Sequence, residues 1–297
     1  MLCSSQQRSS ESESEARGSS AIILASISMD LAGVRPEDKR STDSAFTHIP
    51  ESIRKRLYEI KLEVQTRSEV EEQKPKAAPF THTRNVRCAL GFGPTEVVCT
   101  VTNEGKVVEK WIEGQSDQTT FGLDIEWKPN LVKDDNNRVA LLQISSPTDC
   151  LLVQLLYLDY IPDSLRDFLK SGANSFGGVG ITEDGMKLIR DYELICSGLV
   201  ELQPYAGNVS TRRISLRNLV QVVFNVTLKK NKKITMSNWA QQRLSPQQVE
   251  YACTDAWISY SLYAELKSNP DKRLAVKDFV PTPSHRNSAC RSNRRNW

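Results

Sequence analysis

The chain has 297 residues, 39% of them hydrophobic and 25% charged, with a formal net charge of +3. That length allows one large domain or a medium domain with long flanks, and the composition is that of a soluble globular protein. A net charge so near zero does not mark a polyanion-binding protein, so the local distribution of charge must carry any such reading. No stretch reaches the ~18–20 apolar residues a membrane helix needs. Residues 1–30, polar at the start and containing Glu11, Glu13 and Glu15, read as neither a secretory signal nor a transit peptide. A soluble intracellular protein without a membrane partner is expected. Cys3, Cys88, Cys99, Cys150, Cys196, Cys253 and Cys290 show no CxxC spacing, so small buried hydrophobes are expected rather than a zinc site or a disulfide framework. The histidines (His48, His82, His285) form no HxxxH pair. Any bound metal would fall to carboxylates.

In chain order, residues 1–20 are Ser-, Glu- and Arg-rich, with too little apolar surface to offset ordering entropy. Residues 21–95 are ambiguous. Ile53, Leu57, Ile60 and Val64 have helical spacing, and Val70 to Pro79 reads as a linker. The partition that follows is a largely disordered or weakly structured region over 1–85, a folded domain over 86–268 and a flexible basic tail over 269–297. In the domain, Val97 to Val101 is a short β-branched run, and Val107, Val108, Trp111 and Ile112 make a helical stripe. Thr119 to Trp127, Arg138 to Ile144 and Cys150 to Leu155 read as strands, followed by an amphipathic helix over Ile161 to Leu169. A glycine-rich strand, Phe176 to Ile181, leads into a helix from Glu183 to Tyr192. Ser215 caps a helix ending at Phe224, and Ser245-Pro246 opens a last long helix to Leu266. A strand meander followed by alternating strands and helices predicts an α/β domain, a mixed central sheet flanked by helices.

Acidic residues stand where burial makes them costly. Asp124 and Glu126 alternate with Leu123, Ile125 and Trp127, and residues two apart on a strand share a face. Two such carboxylates repel unless a cation sits between them; the alternative is an edge strand with two solvated acids. Asp184 opens a helix, where an acid also serves the macrodipole, and Glu183 is its rival. Tyr251 and Asp255 are one turn apart on the last helix, in the largely apolar run YACTDAWISYSLY. A tyrosine–aspartate hydrogen bond is the simpler account of that pair, and a metal the other.

The strand DIEW, the segment GVGITEDGMKLIRDY and the helix YACTDA together resemble the three exonuclease motifs of the DEDD superfamily. The tyrosine four before the last aspartate resembles the DEDDy branch, and SLRNLV and SNWAQQRLSPQQVEYACTDA are similar to Werner-type exonuclease domains and their stand-alone plant relatives. The resemblance runs from about Val97 to Leu266. It implies a ribonuclease H-like fold and a 3′–5′ exonuclease with two divalent cations, Mg²⁺ or Mn²⁺, held by Asp124, Glu126, Asp184 and Asp255, with Tyr251 orienting the attacking water. It selects Asp184 over Glu183, because the family's Asp stands three before a Lys, here Lys187. Met186 departs from the pattern, where an aromatic residue is usual. So does Ala252-Cys253-Thr254, where Ala-Ala-Thr is commoner.

Between Glu201 and Glu250 there is no acid, while Arg212, Arg213, Arg217, Lys229, Lys230, Lys232, Lys233 and Arg243 all fall there. Such an interval attracts a polyanion, with Arg217 the preferred phosphate contact; a solvated basic loop is the alternative. Trp239 fits a core position better than a base-stacking platform. The expectation is hydrolysis of DNA from 3′ ends, RNA being a second substrate, releasing nucleoside monophosphates in the nucleus or, alternatively, the cytoplasm. A helicase or other repair protein would be a separate partner. The rival readings are a nucleic-acid-binding or scaffolding protein with a weakly active fold, and an RNA 3′-end processor of ribonuclease D type.

Overall fold

The computed structural model describes residues 77–90, 94–130, 136–207, 214–228 and 232–277. The proposed helix at Ile53 to Val64 lies outside them, as do Arg212, Arg213, Lys229 and Lys230.

Among the described residues seven strands form one mixed sheet. They are β1 (Thr81–Ala89), β2 (Pro94–Thr102), β3 (Thr120–Trp127), β4 (Val139–Ser145), β5 (Asp149–Val153), β6 (Ser175–Gly178) and β7 (Leu199–Glu201), in the order β1-β2-β5-β4-β3-β6-β7. The meander β3-β4-β5 is antiparallel, whereas β2 joins β5, β6 joins β3 and β7 joins β6 in parallel. Every residue of β4 is buried, which accounts for the apolar run Val139 to Leu142 with no polar alternation: a strand covered on both faces has no polar side to alternate with.

One face packs against α1 (Gly105–Glu113), α2 (Asp163–Lys170) and α3 (Ile181–Tyr192). Phe121, Phe168 and Phe176 meet there, with ring centroids 5.0, 5.6 and 5.7 Å apart. The opposite face is covered by α4 (Leu202–Tyr205), α5 (Leu216–Phe224) and α7 (Pro246–Ser268), with α6 (Lys232–Thr235) on the approach to α7. Ser245 and Gln248 start α7 reciprocally: Gln248 N donates to Ser245 Oγ at 3.2 Å, and Ser245 N donates to Gln248 Oε1 at 3.0 Å. The helix lies directly on β3, because a Cβ at Gly122 would stand 2.0 Å from the Ala256 carbonyl oxygen. Only glycine permits that approach. The strand of Asp124 and Glu126 and the helix of Tyr251 and Asp255 are therefore in direct contact.

Three features depart from the sequence reading. The boundary drawn at residue 85 falls inside β1, an alternating strand in which only Val86 and Cys88 are buried, so that its mostly exposed residues conceal it. The three-residue β7 and the short α4 and α6 are too brief for periodicity to reveal. Residues 270–277 form a helix, α8 (Pro270–Lys277), where a flexible tail was expected from 269. Arg273 docks it by donating to the Leu266 carbonyl at 2.8 Å and lying 4.2 Å from the centroid of the Tyr205 ring.

Candidate active site

Strand alternation distributes β3 between two environments. Leu123 and Ile125 enter the core beneath α1–α3, which leaves Asp124 and Glu126 on the face toward α7. The Asp124 carboxylate accepts from Ile125 N at 2.9 Å. A register shift between Glu126 and Trp127 re-aims the strand just past the second acid.

The next element leads to Asp184. Strand β6 ends in a turn at Gly180, whose φ of +81° belongs to the left-handed region that glycine enters without steric cost. Gly180 N donates to Glu201 Oε2 on β7 at 2.8 Å, and Asp184 N donates to the Gly180 carbonyl at 3.2 Å. In the first turn of α3 Glu183 is exposed and Asp184 is turned inward. Further along, buried Asp191 ties α3 to β4: it accepts from Val139 N at 2.9 Å and pairs with Lys187 and Arg190, each at 3.0 Å. Lys187, the residue that selects Asp184 by alignment, also donates to the Asn137 carbonyl at 2.6 Å.

From α7, Tyr251 and Asp255 hydrogen-bond to each other across one turn. Thr235 on α6 donates to the Tyr251 hydroxyl at 3.3 Å. Trp239 is a core residue, as its sequence context favours: it is 1% exposed, and its centroid is 6.1 Å from that of Tyr251.

All five residues therefore converge, and the carboxylates share one electrostatic field. Burial, then the charge of Asp255, raises Asp124 to about 7. Burial, then Asp124, Asp255 and Asp184, raises Glu126 to about 10. Burial, then Asp124, Glu183 and Glu201, raises Asp184 well above the usual carboxylate range against the smaller lowering influence of Lys187. Burial raises Asp255 to about 6 against the stabilising hydrogen bond from Tyr251. Burial, then Asp255, keeps the Tyr251 phenol protonated well beyond neutral pH.

Such a group of acids is reconciled with burial by positive charge. The donors are all carboxylate oxygens, the set that hard divalent cations prefer over softer ones. Beside them stands a residue that sequence reading missed. Gln143 on β4 is the direct cross-strand partner of Asp124, and neither polar atom of its buried amide has a hydrogen-bond partner among the described residues. A buried amide left unsatisfied beside the carboxylates calls for a polar partner at this spot. Its signal was a glutamine inside the apolar run RVALLQI. Thr235 and Glu201, which hold Tyr251 and the Gly180 turn, carry no comparable signal.

Of the basic residues, Arg217 is exposed on α5, and Lys232 and Lys233 are exposed on α6, close in sequence to Thr235. Arg243 is also exposed, with its guanidinium 3.6 Å from the centroid of the Phe80 ring.

A mixed sheet bearing paired acids on its central strand, completed by acids from two helices, defines a carboxylate-centred nuclease-type domain. A 3′–5′ exonuclease family profile matches residues 99–270, and the chain belongs to that family. It is 37% identical over 171 residues to exonuclease 3′-5′ domain-containing protein 2 of Mus musculus, covering 54% of this chain and 26% of that protein. It is 33% identical over 154 residues to the bifunctional 3′-5′ exonuclease/ATP-dependent helicase WRN of Mus musculus, covering 51% of this chain and 11% of that protein. The chain thus spans about a quarter or less of these relatives' lengths. The Aedes aegypti Nibbler EXO domain superposes with a TM-score of 0.50 at 18% identity, over 60% of this chain and 94% of that one. That likeness is one of fold, and it bears out the ribonuclease H-like architecture.

Proposed function

We propose that this chain removes nucleotides from the 3′ ends of DNA, and of RNA as a second substrate, by metal-dependent hydrolysis of the phosphodiester bond. The observation that supports this reading most strongly is the convergence of Asp124, Glu126, Asp184 and Asp255 in one buried field, each pushed toward protonation by burial.

The four carboxylates would hold two divalent cations, Mg²⁺ or Mn²⁺, which when bound activate water and stabilise the leaving 3′-oxygen. Tyr251 stays a phenol, so it offers a hydrogen bond that orients the attacking water without acting as a strong base. Thr235 and Asp255 fix the phenol from two sides. Glu201 holds the Gly180 turn from which Asp184 is presented. Gln143 supplies a free amide beside Asp124 for a water or a phosphoryl oxygen.

Arg217, Lys232 and Lys233 would contact phosphates, together with Arg212, Arg213, Lys229 and Lys230; contacts of this kind set affinity without reading sequence. A separate helicase or repair protein would expose the 3′ end, and the arginine-rich tail supports a nuclear location, which a fluorescent fusion tests.

The activity is tested with matched 5′-labelled DNA and RNA oligonucleotides in Mn²⁺. A ladder shortened from the 3′ end, nucleoside monophosphates as products and arrest by excess EDTA are expected. Binding without shortening of either strand would place the chain among scaffolds instead. Shortening of RNA alone would make it a 3′-end processor of RNA.

A further inference from the structure

Three of the five cysteines among the described residues meet at one point. Cys99 on β2 and Cys150 on β5 are direct partners in parallel register, so their side chains leave the sheet on the same face. That face is covered by α7, which brings Cys253 down onto them. The sulfurs of Cys99, Cys150 and Cys253 all lie within 4.8 Å of one another. Cys88 on β1 lies outside that group, touching only its edge: its thiol contacts that of Cys253 and lies 3.8 Å from Thr254 Oγ1. All four are buried, whereas Cys196 lies in the other core.

Small apolar packing explains any one of these residues. It does not explain why β2, β5 and α7 each place a sulfur at the same point. A tetrahedral thiolate site with metal–sulfur bonds of about 2.3 Å sets its sulfurs about 3.8 Å apart, so the observed spacing is closed by small side-chain rotations. The residual negative charge of such a site needs a nearby cation, and Arg84 is the cross-strand partner of Cys99.

We propose that Cys99, Cys150 and Cys253 bind one thiophilic d¹⁰ cation, Zn²⁺ or Cu⁺. All three sulfurs are buried, as the ligands of structural thiolate sites are. It joins β2 and β5 to the helix that carries Tyr251 and Asp255, and so fixes the height of that helix over β3. The protein would then sort two kinds of metal by ligand softness: hard cations to the carboxylates, and a soft or borderline one to the sulfurs.

The probe is Cd²⁺, added in equivalents to the full chain during refolding. Thiolate-to-cadmium charge transfer in the ultraviolet reports the sulfur site and is silent for carboxylate-bound ions. The band is expected to saturate at one equivalent, to be lost in Cys150→Ala and in Cys253→Ala, and to persist in Cys196→Ala. The melting temperature should rise with Cd²⁺ in the wild type but not in the two variants that lose the band. Circular dichroism and remaining nuclease activity establish that each variant is folded. X-ray absorption on the one-equivalent Zn²⁺ form reads the ligand shell without any substitution. Three sulfurs at about 2.3 Å support the site. A nitrogen–oxygen shell, a wild type without the band, or a band that survives Cys253→Ala would overturn it.

Discussion

The two faces of the central sheet are made by the same strands yet carry opposite chemistry. Toward α1–α3 the sheet presents Phe121, Leu123, Ile125, Ile144 and Phe176, a closed apolar layer. Toward α7 the alternate residues of β3 and β4 present Asp124, Glu126 and Gln143, and β2 and β5 add the thiols of Cys99 and Cys150. A period of two separates a stabilising layer from a reactive one within a single strand. One face lowers the free energy of the fold; the other leaves it strained by unmatched charge, which a cation bound there as proposed would relieve.

Substitutions on the two faces should separate activity from stability. Asp255→Ala is expected to lower kcat/KM by about a thousand-fold or more, the several kcal/mol that a cation site contributes, while the cation-free protein stays folded. Phe168→Ala, on the opposite layer, should cost about 3–5 kcal/mol of stability and leave the rate per folded molecule unchanged. Denaturant titration and progress curves on the same preparations measure both.

Tyr251→Phe keeps the ring and removes the hydroxyl. If the proposed role of the phenol holds, orienting water rather than holding the ion, kcat should fall by about a hundred-fold with Mn²⁺ affinity retained by calorimetry.

The strain has a pH signature. Asp255 and Asp124 are raised from 3.8 to about 6 and about 7, so without cations the folded chain binds more protons than the unfolded one between those limits. Stability contributed by these groups is then present at low pH and lost as pH rises from about 4 through about 7. Calorimetry without divalent ions should show the melting temperature falling over that window. Mn²⁺ should restore it at about pH 8 more than at about pH 5, where protons compete for the same oxygens. Asp124→Asn should flatten the dependence and raise the cation-free melting temperature by a few degrees.

Arg217→Ala carries the smallest expected effect. It should raise KM a few-fold, equally for all sequences, and reduce the slope of log affinity against log salt by about 1, with kcat unchanged.

The sequence made the reactive face legible to different depths. Asp124 and Glu126 could be placed together because strand period alone fixes their common side, and Tyr251 and Asp255 because four residues make one helical turn. Asp184 could not be chosen over Glu183 on local grounds, since both occupy the first turn of α3. The family resemblance made that choice through Lys187, and in the structure the Gly180 turn, held by Glu201 from another strand, leads into the first turn of α3, where Asp184 is turned inward. The sulfur cluster was invisible for a related reason. Cys99, Cys150 and Cys253 meet only because β2 pairs with β5 and α7 crosses both, and neither pairing nor crossing leaves a periodic trace. Strand β1 was missed because its exposed residues outnumber Val86 and Cys88, and α8 because a basic composition concealed the contacts of Arg273 with Leu266 and Tyr205.

The most direct test of the carboxylate site compares wild type with Asp124→Ala on a 5′-labelled duplex with a recessed 3′ end in Mn²⁺, both proteins being matched for folded concentration by circular dichroism. The wild type should shorten the labelled strand progressively, and the variant should leave it at full length over the same period. Equal ladders from the two proteins would show that Asp124 is not part of the hydrolytic site.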